Sequence, residues 1–188
     1  YTFNYEAIER IPYMAPGLVG PEKASRGKLP TDTWWHTIVP TNGREKTGYP
    51  NYEIVRTPSE ALGDYLVLLG DGVTVLQEGW IDALLNHALR PEVGVVGAKL
   101  LRADGTVQHA GVVLGLRGPA EHPFMGADVN DPGYMQRLQI DQNYSAVTGA
   151  CLMVRRSLYE QVGGLDTQDL AGGYGDVDLC LKIGKTGH

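Results

Sequence analysis

No stretch of this chain holds the roughly 20 consecutive apolar residues that a membrane-spanning helix requires. Its first residues lack the basic, apolar, small-residue order of a signal peptide. Basic side chains are in short supply: 16 Lys and Arg stand against 22 Asp and Glu, a net charge of -6. Phosphate-backbone binding needs clustered positive charge, so nucleic acid is excluded as a general partner and anionic membrane is disfavoured. One small phosphate-bearing ligand at one site is not. Only two cysteines occur, Cys151 and Cys180, both in apolar runs. Two buried free thiols are expected there rather than a disulfide or a metal pair. No His or Cys partners stand at zinc-ligand spacing, and neither a Gly-x-Ser-x-Gly elbow nor a Gly-x-x-x-x-Gly-Lys loop is found. The expectation from these absences is a soluble, reduced, cytoplasmic protein.

What is abundant is glycine, 25 of 188 residues, close to twice the usual share of about 7%. It follows no Gly-x-y period, so collagen is excluded and the glycines are read as turns, helix ends and tight backbone approaches. An apolar content of 43% in 188 residues suits one packed domain.

Residues 1–60 and 61–188 differ in texture. The first part holds most of the prolines, scattered aromatics such as Trp34 and Trp35, and two short strand candidates at 36–39 and 52–55. The second part is regular. A continuous apolar run at 65–69 ends at Gly70-Asp71-Gly72, as a strand buried on both faces would. Trp80, Ile81, Leu84, Leu85, Ala88 and Leu89 then form one helical stripe, with Pro91 just beyond it. Further strands are expected at 93–97 and 145–155, a short helix at 157–162 stopped by Gly163-Gly164, and a last helix starting near Asp176. Asp104-Gly105-Thr106 reads as a hairpin turn. Strand, helix, strand in this order points to an α/β domain with a largely parallel sheet.

Three places could carry chemistry. Asp71 follows a buried strand, where open α/β sheets bind their ligands, so it suits a metal or a metal-bound phosphate; taken alone, an ordinary Asp-Gly turn is the simpler account. Asp176 and Asp178 begin a helix, where acids are favoured by the dipole; two residues apart, they face different ways, and one of them could serve as a general base. Gln108-His109 and His122 are polar residues amid apolar ones, and a single histidine is most simply a structural residue.

The order of the pieces resembles the family 2 glycosyltransferases of the GT-A fold, in the branch associated with O-antigen and rhamnan assembly. The resemblance rests on Gly63-Asp-Tyr-Leu-Val-Leu-Leu-Gly-Asp-Gly-Val-Thr-Val75, Gly79-Trp80 and Pro91-Glu-Val-Gly-Val-Val-Gly-Ala-Lys-Leu100. It continues through Asp104-Gly-Thr-Val-Gln-His-Ala-Gly-Val-Val113, Ser145-Ala-Val-Thr-Gly-Ala-Cys-Leu-Met-Val-Arg155, Val162-Gly-Gly-Leu-Asp166 and Asp176-Val-Asp-Leu-Cys-Leu-Lys182. Upstream, Thr37-Ile-Val-Pro-Thr41 and Tyr49-Pro-Asn-Tyr-Glu-Ile-Val55 look like the family's first two strands.

The resemblance implies a Rossmann-like, mixed but mostly parallel sheet flanked by helices, with residues 1–188 forming one incomplete GT-A-like domain: a divergent part over 1–60 and a well-matched core over 61–188. It implies inverting, metal-assisted transfer of a sugar from a dTDP- or UDP-sugar to a glycan acceptor in bacterial surface polysaccharide synthesis, in the cytoplasm and with attachment at the inner membrane left open. Asp176 falls on the catalytic base, Asp71 on the Mg2+ or Mn2+ motif, Asp71 and Thr41 on the nucleotide-sugar site, and Gln108, His109, Thr148 and Gly149 on the acceptor side. Three departures stand out. Gly70 and Gly72 replace the polar residues that usually flank Asp71, and Gly175 replaces an Asn or Glu. Val55 runs almost directly to Gly63, without the family's nucleotide-base segment, and the chain stops before the family's last strand. These departures fit a degenerate or truncated homologue, an incomplete gene or unrecorded loops, and they keep a second reading open: a GT-A-like module that binds a glycan or a partner without turnover.

Overall fold

The protein is described here by a computed structural model, which covers residues 2–3, 35–37, 52–53, 58, 61–70, 73–170 and 173–188. Among the described residues the main sheet has six strands: β1 (Thr2–Phe3), β2 (Trp35–Thr37), β3 (Tyr52–Glu53), β4 (Tyr65–Leu69), β5 (Val95–Ala98) and, later in the chain, β10 (Cys151–Arg155). They lie side by side in the order β1-β5-β10-β4-β2-β3. The β1–β5, β2–β4 and β2–β3 pairs are parallel, whereas β10 is antiparallel to both β4 and β5. Five strands therefore share one direction, and β10 runs against them between β4 and β5, pairing Leu152 with Leu68 on one side and Gly97 on the other.

β4 is apolar throughout because both faces of the sheet are covered. Tyr65, Val67 and Leu69 point to one side, where they pack with Trp80, Ile81, Leu84 and Leu85 of α1 (Trp80–Ala88). Leu66 and Leu68 point to the other, where they meet Leu158 of α2 (Arg156–Gln161) and Leu179 and Ile183 of α3 (Gly175–Gly184). Strand alternation sends successive side chains to opposite faces, so one five-residue run serves two cores. Each fully buried Leu or Ile contributes about 1.5–3 kcal/mol relative to its exposed state. The α1 stripe places Trp80, Ile81, Leu84, Leu85 and Ala88 inside, as its helical spacing predicts, and Leu89 partly so.

Two small antiparallel ladders stand beside this sheet. β6 (Leu100–Leu101) pairs with β7 (Val107–His109), and β8 (Val113–Leu114) with β9 (Ala120–Glu121). The expected hairpin turn joins the first pair: Gly105 sits at φ 82, and Asp104 Oδ1 accepts from both Thr106 N–H (2.9 Å) and the Thr106 hydroxyl (2.7 Å). A strand was expected over 145–155, but it starts only at Cys151. In the turn ahead of it, the amides of Thr148 and Gly149 bond to side chains instead of to a neighbouring strand. Both cysteines are free, and burial pushes the Cys151 thiol up to about 12 and the Cys180 thiol to about 11.

Candidate functional site

The carboxyl ends of β4 and β5 and the amino end of β10 meet at one edge of the sheet, where parallel strands leave room for a ligand. A cavity of about 760 Å³ opens there, lined by Gly70, Trp80, Lys99, Arg102, Gln108 and Ala150 among others. Gln108 lies exposed on β7 at its rim. Lys99 is 7% exposed, and its ammonium donates to the Val129 carbonyl (3.2 Å) and the Leu138 carbonyl (3.3 Å), which anchors the 129–138 loop beside the cavity. A methyl group added at Gly70 would meet Ala150 only at an ordinary 3.6 Å, so space alone does not demand glycine at that position.

Asp176 enters this neighbourhood from α3. Tyr174 precedes the helix with φ 65, a left-handed conformation that costs an L-residue about 1–2 kcal/mol, and Asp176 follows in the first turn. Oδ2 of Asp176 accepts the Gly149 N–H at 2.7 Å, and Oδ1 accepts the N–H of Val177 at 2.9 Å. Gly149 adjoins Ala150 of the cavity wall, so the carboxylate is held one residue away from the lining, of which Asp176 itself is not part. Asp178 faces another way, as the spacing predicts, and pairs with Lys182 at 2.6 Å.

Thr148, one residue before Gly149, turns to a different partner. Its N–H donates to His109 Nε2 at 3.3 Å, and the Gly111 N–H donates to the same nitrogen, also at 3.3 Å. The Thr148 hydroxyl accepts the Ala150 N–H at 3.3 Å and closes the turn. His109 is 1% exposed, so it supports the site from behind and does not present a ring to the cavity. Its other nitrogen, Nδ1, lies 2.7 Å from Nδ1 of His122, with the two rings edge to face at 4.9 Å between centroids. Burial and the neighbouring His122 hold the His109 pKa down to about 3. For His122, half buried, burial also lowers the pKa, against the opposing pull of the Asp176 and Glu121 carboxylates.

The structure thus brings Asp176, Gly149, Thr148 and His109 together and leaves Gln108 at the rim of the cavity. Asp71 and Thr41 lie outside the described residues. Among the described residues, no group of three or more His, Cys, Asp or Glu side chains is gathered to hold a metal ion. Sequence reasoning gave His122 no role. Its only signal was a second histidine 13 residues after His109, and no local pattern says that two such rings meet. Lys99 also went unassigned; its one signal was a charge directly after the apolar run at 93–98.

No family model matches this chain. It is 43% identical over 130 residues to uncharacterized protein y4gI of Sinorhizobium fredii, covering 69% of this chain and 14% of that protein. It is 40% identical over 131 residues to the O-antigen biosynthesis protein RfbC of Myxococcus xanthus, covering 68% and 10%. It is 35% identical over 117 residues to an N-acetylglucosaminyl-diphospho-decaprenol L-rhamnosyltransferase of Mycobacterium tuberculosis, covering 58% and 38%. The chain therefore spans from 10% to 38% of the length of these curated relatives. No helix among the described residues is long and apolar enough to cross a membrane.

Proposed function

We propose that this chain is the nucleotide-sugar-dependent part of a glycosyltransferase acting in polysaccharide synthesis, with a GT-A-type sheet and an inverting mechanism. The observation that carries this reading is a carboxylate, Asp176, in the first turn of a helix, clamped at 2.7 Å by the N–H of Gly149, the neighbour of Ala150 in the wall of a cavity at the carboxyl ends of parallel strands. The names of two relatives, an O-antigen biosynthesis protein and a rhamnosyltransferase, support the same class.

In this mechanism Asp176 takes the proton of an acceptor hydroxyl while that oxygen attacks the anomeric carbon of the donor sugar. The new glycosidic bond forms as the bond to the nucleoside diphosphate breaks, and the proton remains on Asp176 until solvent removes it. The two N–H groups on the carboxylate keep it oriented. Gln108, exposed on β7 at the cavity, would bond to hydroxyls of the acceptor in this reading. A divalent cation, Mg2+ or Mn2+, which the resemblance assigns to Asp71, would supply charge neutralisation to the departing diphosphate.

Calorimetric titration of dTDP and of UDP, each with and without manganese, tests the reading. Binding of either nucleotide supports it. No binding under any of the four conditions would sink it and leave a glycan- or partner-binding module as the better account.

A further inference from the structure

His109 and His122 share a single hydrogen between their Nδ1 atoms, and the backbone decides whose it is. His109 Nε2 faces two N–H groups, those of Gly111 and Thr148, both at 3.3 Å. A nitrogen that accepts from two donors carries no hydrogen, so the proton of neutral His109 sits on Nδ1. That Nδ1–H points at His122 Nδ1 across 2.7 Å, which makes His122 Nδ1 the acceptor. The hydrogen of neutral His122 is then on Nε2, at the side of the ring away from His109. Protonating His122 would set two N–H groups against each other at 2.7 Å, and the clash is relieved only by giving up the bonds from Gly111 and Thr148.

We propose that His122 is a tautomer-locked, neutral hydrogen-bond donor of the site, which offers its Nε2–H to a hydroxyl oxygen of the acceptor sugar beside Asp176. This rests on the glycosyltransferase reading above. The same turn supports both groups: consecutive amides, Thr148 N–H and Gly149 N–H, hold His109 and Asp176 respectively. The charged or titratable groups that act on His122 are His109 from β7, Glu121 from β9 and Asp176 from α3, with Arg117 paired to Glu121 at 3.3 Å. Two carboxylates would ordinarily draw a proton onto a histidine. Here burial and the lock oppose them, and the direction for His122 is downward. A neutral imidazole donates a hydrogen bond without competing with Asp176 for the acceptor's proton.

Nitrogen-15 NMR of histidine-labelled protein tests the lock without any substrate. The expected spectrum has His109 as the Nδ1–H tautomer and His122 as the Nε2–H tautomer, with both still neutral where a free histidine already takes up a proton. Reversed tautomers, or a His122 that titrates near its ordinary value, would overturn the proposal. Two variants separate the donor role from simple support of His109. Gln places its amide nitrogen where Nε2 stands, whereas Asn can still accept from His109 but offers nothing at the Nε2 position. In sugar-transfer assays, His122→Asn should lose about tenfold in kcat/KM for the acceptor with donor KM unchanged, and His122→Gln, which keeps a donor at that position, should lose clearly less. The opposite ranking would show that the pair only holds the fold. If wild-type protein transfers no sugar from any donor, the glycosyltransferase reading fails and the acceptor-binding role of His122 with it, while the NMR result still decides the lock on its own.

Discussion

Gly149 and Asp176 fit so closely that a side chain on the glycine would press against the aspartate it holds. The amide reaches Oδ2 at 2.7 Å, and a methyl group built on Gly149 would stand 3.3 Å from the Asp176 Cβ. Gly149→Ala should therefore push the carboxylate by a few tenths of an ångström and cut sugar transfer about tenfold, since misplacement of a catalytic group by about 1 Å costs on the order of a hundredfold. Nucleotide affinity, read by calorimetry, should be unchanged. Full activity in this variant would mean that the clamp does not set the position of Asp176.

Asp176→Asn keeps the shape of the side chain and removes its basicity. Transfer should fall by about 100-fold or more, as for loss of a general base, with nucleotide affinity almost unaltered. A large loss of nucleotide affinity would place Asp176 on the donor and not at the acceptor hydroxyl.

Burial of His109 links stability to pH. Folded His109 stays neutral down to about pH 3, whereas an unfolded histidine takes up a proton near 6.5. The unfolded state binds more protons throughout that window, so the contribution is fully present above pH 6.5 and is lost as pH falls toward 3. Urea unfolding should show this residue alone removing about 2 kcal/mol between about pH 7 and pH 5. His109→Gln should flatten that part of the slope whatever its own starting stability. Parallel slopes for the two proteins would refute the assignment.

Gly97 occupies the point in β5 where Val147 packs against the strand. A Cβ there would lie 2.5 Å from the Cβ of Val147 and 2.8 Å from its Cγ1, a clash with no flexible end to move. Gly97→Ala should destabilise the protein by about 1–3 kcal/mol. The double variant Gly97→Ala, Val147→Gly should cost less than the sum of the two single changes, because the residues are in contact. Strict additivity in urea midpoints would show that the strain lies elsewhere.

Much of the fold was legible from local patterns. The uninterrupted apolar run at 65–69 marked a strand covered on both faces, and the stripe from Trp80 to Leu89 marked the helix over it. An acid in the first turn of the last helix was visible at Asp176, because helix-start chemistry is local. Less legible was the segment 145–155. Its composition suits a strand throughout, yet the strand starts only at Cys151, since the amides of Thr148 and Gly149 bond to His109 and Asp176. Residues such as Thr41 and Asp71, which the resemblance assigns to the donor site, lie outside the described part of the structure.

By itself the sequence determined which segments are apolar on one face or two, where helices start and stop, and that Asp176 heads a helix. These follow from periods of 2 and 3.6 residues and from the needs of unpaired backbone groups, all within a few positions of one another. Only the tertiary structure decided that β10 inserts antiparallel between β4 and β5, that the cavity forms at their shared edge, and that His109 and His122 meet. Such pairings join residues 13 to 90 positions apart, through hydrogen bonds whose partners become neighbours only when the whole sheet has closed around its two cores.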